Sequence, residues 1–178
     1  AMSTVIASVD RRSPAQLAGI KPGEQLLTIN GHEIIDVLDY RFYGYDADSH
    51  LTLREPNGAQ RAVHIRKQEG QDLGLNFDTY LMDEMRSCAN HCIFCFVDQM
   101  PPGMRQTLYF KDDDARLSFL LGNYITLTNL TEREAQRIID LHICPINVSV
   151  HTTDPQLHCT MLGNKNAGRS LEYIRAFC

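Results

Sequence analysis

The sequence predicts a multidomain protein of two fold classes, a small β-rich domain over residues 1–79 and a partial α/β domain over residues 80–178. Three observations predict this. Short apolar runs punctuated by Pro and Gly fill the first half. Strand and helix signals alternate from Asn123 onward, the pattern of parallel strands joined by helical crossovers. Between them lies the stretch Arg86-Ser87-Cys88-Ala89-Asn90-His91-Cys92-Ile93-Phe94-Cys95-Phe96, which holds three of the six cysteines.

In the first half, Val5-Ile6-Ala7-Ser8-Val9 reads as a strand. Ser13 is a good N-cap, Pro14 suits the first helical position, and Gly19 supplies a left-handed stop. Pro22-Gly23 reads as a turn. Gln25-Leu26-Leu27-Thr28-Ile29 is a second strand closed by Asn30-Gly31, a tight-turn signal. Ile34, Ile35, Leu38, Phe42 and Tyr45 recur at helical spacing. Leu51-Thr52-Leu53-Arg54 and Ala62-Val63-His64-Ile65 flank Pro56-Asn57-Gly58 as a hairpin, and Gly74-Leu75-Asn76-Phe77 is a last short strand. His32, His50 and His64 are scattered and read as ordinary surface or core histidines.

The order of Ser13-Pro14-Ala15, Ala18-Gly19-Ile20, Pro22-Gly23-Glu24, Leu27 and Ile29-Asn30-Gly31 resembles a PDZ domain over roughly residues 4–78. The resemblance implies a half-open barrel that takes a peptide or protein C-terminus as an added strand. It places the peptide-binding residues at Gly74, Leu75, Asn76 and Phe77, in the permuted order of bacterial PDZ domains. Asn76 departs from the family's Gly-Leu-Gly-Phe pattern. A packing role for the domain is the competing expectation.

In the second half, Tyr80-Leu81-Met82 reads as a strand leading into the cysteines. Lys111-Asp112-Asp113-Asp114 reads as the solvated start of a helix that ends at Gly122. Residues 123–128 form a strand, and Thr131 with Glu134 a capping box for a helix running to His142. Pro145 breaks the chain, and residues 146–151 form the next strand. Thr153 or Asp154 caps a helix stopped by Gly163, and residues 167–178 read as helical. In such alternating folds functional groups gather at the carboxyl ends of the strands. The cysteine loop, Thr128-Asn129 and His151-Thr152 are expected at one end.

Composition bounds the function. A net charge of −5 with no basic stripe makes nucleic acid an unexpected partner. No stretch approaches the ~20 apolar residues of a membrane helix, and no signal-peptide core is present, so a cytoplasmic location is expected. Ala1 before Met2 reads as an expression scar. Cysteines without an export signal suggest reduced thiols or metal ligands.

The spacing Cys-x3-Cys-x2-Cys leaves three readings. A structural zinc site needs four ligands, and His91, Cys144 or Cys159 are the fourth-ligand candidates. Redox thiols are the second. The third is a 4Fe-4S cluster held by three thiolates with one iron left open. Taken with Phe94 before the last cysteine and the βα pattern that follows, the loop resembles the radical S-adenosylmethionine (radical SAM) enzymes. Further stretches, Cys-Ile-Phe-Cys-Phe-Val-Asp-Gln, Leu-Tyr-Phe-Lys-Asp-Asp-Asp, Gly-Asn-Tyr-Ile-Thr-Leu-Thr-Asn and Val-Ser-Val-His-Thr-Thr, resemble a bacterial family of PDZ-containing radical SAM, iron–sulfur oxidoreductase-like proteins.

The resemblance implies Cys88, Cys92 and Cys95 as ligands of a 4Fe-4S cluster and S-adenosyl-L-methionine as cofactor. An external electron donor would reduce the cluster, and cleavage of the sulfonium would yield a radical that abstracts hydrogen from the substrate. Phe94 would pack near the adenine. Thr126-Leu127-Thr128-Asn129 stands where the family often has a Gly-Gly-Glu stretch, so Thr128 and Asn129 are the polar candidates there, and Ser149 and His151 are further cofactor-pocket candidates. The superfamily's barrel has about six βα units on the scale of TIM-like barrels. The residues after Cys88 suffice for about half of these, so an incomplete TIM-like barrel is expected. Its open edges and apolar faces invite self-association, and a truncated chain could lack activity. Cys144, Cys159 and Cys178 are expected to be ordinary thiols.

Overall fold

A computed structural model describes residues 4–177; the readings of Ala1, Met2 and Cys178 lie outside the described residues. The chain divides into two compact units, Ala1–Glu84 and Met85–Cys178.

Unit 1 contains β1 (Ile6–Val9), α1 (Pro14–Leu17), β2 (Gln25–Ile29), β3 (His32–Glu33), α2 (Val37–Tyr43), β4 (Asp48–Arg54), β5 (Gln60–Arg66) and β6 (Leu75–Phe77). β3, β2, β4 and β5 form one antiparallel sheet in that order, and β1 pairs antiparallel with β6. Alternation builds the sheet: Ser49, Leu51 and Leu53 of β4, and Val63 and Ile65 of β5, face the core while the residues between them face solvent or are half-buried. Each fully buried Leu or Ile contributes about 1.5–3 kcal/mol. Asn30 and Gly31 both take positive φ, 51° and 83°, the backbone of a two-residue turn that matches strand twist, and they join β2 to β3. Ser13 caps α1 by accepting the Gln16 amide, as its sequence context predicts.

Two expectations for this unit are corrected. The helix expected from Ile34 starts at Val37, because the Asp36 carboxylate accepts the Leu38 amide and fixes the N-terminus there. Ile34 is buried from the preceding loop instead, its amide bonded to the Leu27 carbonyl at 3.0 Å. Tyr80-Leu81-Met82 is not a strand. Met82 has φ 67° and its amide closes a turn on Thr79. Leu81 and Met82 are buried within unit 1, and the Leu81 carbonyl accepts the Val37 amide at the start of α2. The expected strand residues therefore complete the first unit.

Unit 2 contains α3 (Ala115–Leu121), β7 (Tyr124–Ile125), α4 (Glu132–Asp140), β8 (Asn147–Val148), α5 (Pro155–Leu162) and α6 (Arg169–Phe177), after a short 3-10 turn at Gln106–Tyr109. β7 and β8 are parallel, Tyr124 opposite Asn147 and Ile125 opposite Val148. The strand–helix–strand order is thus as the sequence predicts, but the strands are two residues each rather than six. The cause lies at the end of β7. The Thr126 amide donates to the Asp113 carboxylate at 2.6 Å, and Leu127 turns out of extended backbone with φ 59°. Thr131 and Glu134 form the predicted capping box, worth about 1 kcal/mol. Asp154, of the two candidates, caps α5. Ile125, Leu127, Leu130, Ala135 and Ile138 form the core of the unit, with Ile143, Ile146, Val148 and Ile174 against it.

Candidate metal centre

Cys88, Cys92 and Cys95 are free and partly exposed. They lie on one irregular loop, closed at its end by the Cys95 amide on the Cys92 carbonyl at 3.0 Å. Three sets of anchors hold it. The Cys88 amide donates to the Lys111 carbonyl at 2.6 Å, and the His91 and Ile93 amides donate to the Leu162 and Met161 carbonyls at 2.9 and 3.0 Å. The loop therefore rests on the last turn of α5. Gly163, which ends that helix with φ 58°, permits the approach: a Cβ there would stand 2.5 Å from the His91 carbonyl oxygen.

The third anchor is Asn90, which is 1% exposed. Its Nδ2 donates to Thr126 Oγ1 at 3.0 Å, and its Oδ1 accepts from Thr128 Oγ1 at 2.9 Å and Asn164 Nδ2 at 2.8 Å. Its backbone carbonyl accepts from Lys111 Nζ at 2.8 Å. Thr126 Oγ1 in turn donates to Asp113 at 2.6 Å. The carboxyl end of β7 and the cysteine loop are thereby joined through one satisfied, buried network, the kind that fixes a single geometry.

The charge environment follows from the same contacts. Burial pushes the Cys88 thiol up, partly offset by the Asn90 amide and the Lys111 ammonium. Burial also pushes Cys92 up, as do the neighbouring Cys88 and Cys95 sulfurs. Lys111 ion-pairs with Asp98 at 3.0 Å, and Asp98 is held low first by that contact. Burial raises Asp113 despite its bonds to Thr126. The expectation of a solvated acidic stretch is corrected here: Asp113 and Asp114 are buried, and Asp114 caps α3 while pairing with Arg116 at 2.6 Å.

The other predicted residues divide. Phe94 meets His151, ring centroids 4.4 Å apart, so the structure brings these two together. Ser149 follows β8, its amide on the Ile125 carbonyl at 2.8 Å. Thr128 and Asn129 line an open hollow with Thr131, Glu132 and Arg169. The Thr128 hydroxyl is committed to Asn90, and the Asn129 amide donates to the Asp113 and Ser87 carbonyls at 3.1 and 3.3 Å. Cys159 lies elsewhere, its sulfur accepting the Gly168 amide at 3.3 Å, and Cys144 is exposed. Sequence reasoning missed Asn90, Lys111 and His158. His158 is buried with Nε2 on Ser170 Oγ and Nδ1 unpartnered, its ring centroid 6.3 Å from that of His151. Only Asn90, between two of the cysteines, carried a positional signal.

In unit 1, Gly74 is pressed against Ser13: a Cβ on Gly74 would lie 2.3 Å from the Ser13 Cβ. Its amide donates to Asp72 Oδ1 at 2.6 Å, and the Leu75 amide donates to Tyr40 Oη at 3.3 Å. Tyr40 Oη donates to the same Asp72 oxygen at 3.1 Å. The Asn76 side chain donates to Asp10 at 2.8 Å, and Phe77 packs edge-on against Tyr40 at 5.4 Å.

Fold and site define a two-domain protein: a PDZ domain in a β-rich N-terminal region, followed by a radical SAM-like domain. A PDZ domain model matches residues 5–54, and a Radical SAM-like domain model matches residues 67–178. The second match covers more than half of the chain, and the chain belongs to the Radical SAM-like domain family. No curated protein matches it. Among the described residues no helix is long and apolar enough to cross a membrane.

Proposed function

We propose that Cys88, Cys92 and Cys95 hold three irons of a 4Fe-4S cluster that binds S-adenosyl-L-methionine at its open iron. The donor set fits: three free, partly exposed thiols on one loop. The observation that carries the reading is the buried Asn90 network, which ties this loop to the end of β7. When bound, cluster and cofactor together supply reductive cleavage of the sulfonium, with an electron from an external donor, and so initiate hydrogen abstraction from a substrate. The chain's own residues do the rest. Asn90 and Gly163 set the loop geometry. Lys111 places a cation beside the thiolates. Phe94 and His151 offer a paired aromatic surface for the adenine, and Thr128, Asn129 and Ser149 provide polar atoms at the strand ends.

In this reading β7, α4 and β8 belong to the wall of a βα barrel, and the protein is a cytoplasmic oxidoreductase-like enzyme. Exposed Ile93, Phe96, Leu121 and Tyr124, at 71%, 76%, 61% and 71%, support self-association of this unit. The PDZ unit is structural and takes no peptide. Two amides of the stretch that the PDZ resemblance marks for peptide binding, those of Gly74 and Leu75, are already occupied by Asp72 and Tyr40.

The test is release of 5′-deoxyadenosine from S-adenosylmethionine by the anaerobically reconstituted, dithionite-reduced protein. Release that is lost on Cys88→Ala, Cys92→Ala or Cys95→Ala supports the assignment. Unchanged cluster content in any of the three variants overturns it.

A further inference from the structure

The geometry points to a second metal site, on the solvent face of β4 and β5, formed by Asp48, His50 and His64 and suited to a divalent zinc ion. Their ligand atoms all lie within 4.8 Å of one another. Asp48 and His50 are two residues apart on β4 and so share a face, and His64 sits directly opposite His50 on β5. The imidazoles stack with centroids 4.3 Å apart and planes 3° apart. Nε2 of each ring is aimed at Oδ1 of Asp48: His64 contacts it directly, and His50 lies 3.5 Å from it.

The ligand atoms are within reach of one ion once the two rings tilt out of their stack toward each other and His64 draws back from Asp48. Four ligands at ~2.0–2.1 Å around tetrahedral zinc stand about 3.3–3.4 Å apart. The His50–Asp48 separation is already close to that edge. Backbone register does the placing. β4 and β5 pair without a break over seven positions, from Asp48 opposite Arg66 to Arg54 opposite Gln60, so no loop has to order on binding. The His50 amide is further fixed by the Asn30 side chain at 2.8 Å. Two imidazoles and a carboxylate select zinc, nickel or copper over magnesium or calcium.

The opposing contact is Arg66, whose Nε lies 3.7 Å from Asp48 Oδ2. It engages the other carboxylate oxygen, and its side chain is 81% exposed and free to swing away. Zinc takes each imidazole as a neutral ring with its one proton on Nδ1 and its Nε2 lone pair on the metal, so an Nε2 proton facing Asp48 is released to solvent as the ion binds. The fourth position remains for water.

The experiment titrates zinc chloride into the full chain and follows the assigned ring-nitrogen resonances of its histidines, which separates this site from zinc taken by thiols. His50 and His64 Nε2 should shift together on one saturating isotherm while His32 stays in place, and magnesium should move neither. Asp48→Asn should weaken the isotherm about tenfold, and His64→Ala should remove the His50 response; both positions are exposed, and far-UV circular dichroism verifies the fold. Different isotherms for the two rings, a static ring, or a His50 response that survives His64→Ala would overturn the site.

Discussion

Asn90 shows how a single side chain turns a flexible-looking loop into a defined one. Both ends of its amide are used, and its carbonyl holds Lys111. Replacing it by Ala removes one partner each from Thr126 and Thr128 and leaves the Asn164 Nδ2 without its partner, at a cost of about 1–3 kcal/mol. Asn90→Ala should lower the unfolding midpoint of unit 2 and cut reconstituted iron content, though every thiol remains. Wild-type iron content in a folded Asn90→Ala protein would remove Asn90 from the account. Glu24 makes a second prediction at this scale. The Arg61 fork, at 2.7 and 2.9 Å, holds its carboxyl below the ordinary 4.5, against the upward push of burial. A carboxyl that titrates lower when folded stabilises the fold fully above its unfolded value. That contribution is lost as pH falls through the folded value. Thermal melts should therefore weaken for unit 1 as pH drops below 4.5, and Glu24→Gln should flatten that dependence.

At the scale of elements, the end of α5 and the cysteine loop are one structure. Gly163→Ala would set a methyl against the His91 carbonyl at 2.5 Å in a left-handed backbone, which costs about 1–2 kcal/mol from the backbone alone. The variant should fold with its thiols displaced and lose cluster binding, read as loss of absorbance near the sulfide-to-iron band; full retention would show that the loop does not depend on α5. The groove beside β6 gives another outcome. With Asp72 and Tyr40 on the amides of Gly74 and Leu75, peptides ending in a free carboxylate should show no measurable binding by calorimetry. Saturable binding that amidation of the peptide abolishes would contradict this.

Elements were legible where local chemistry decides them. Ser13, Asn30-Gly31, Thr131 with Glu134 and Asp154 each perform locally what their sequence context predicts. The cysteine spacing, too, is read directly from the sequence and singles out the candidate site. Illegible were features set by distant partners. Asp113 takes the Thr126 amide across 13 positions and shortens β7, and Asn164 reaches Asn90 across 74. Leu81 and Met82, apolar enough for a strand, are buried in a turn instead, with the Leu81 carbonyl on the Val37 amide and the Met82 amide on the Thr79 carbonyl. Asp48, His50 and His64 look scattered in sequence and converge only through strand register.

For the whole molecule, the central claim is that a chain with a PDZ domain and a Radical SAM-like domain keeps three thiols for a cluster with one open iron. A structural zinc site in the same loop would give a scaffold without radical chemistry, and the two differ in stoichiometry. The direct measurement is iron, acid-labile sulfide and zinc per chain after anaerobic preparation, with the thiol loop intact. The protein should be brown, with about four irons and about four sulfides per chain. A colourless protein holding about one zinc at the loop, with no iron, would contradict it.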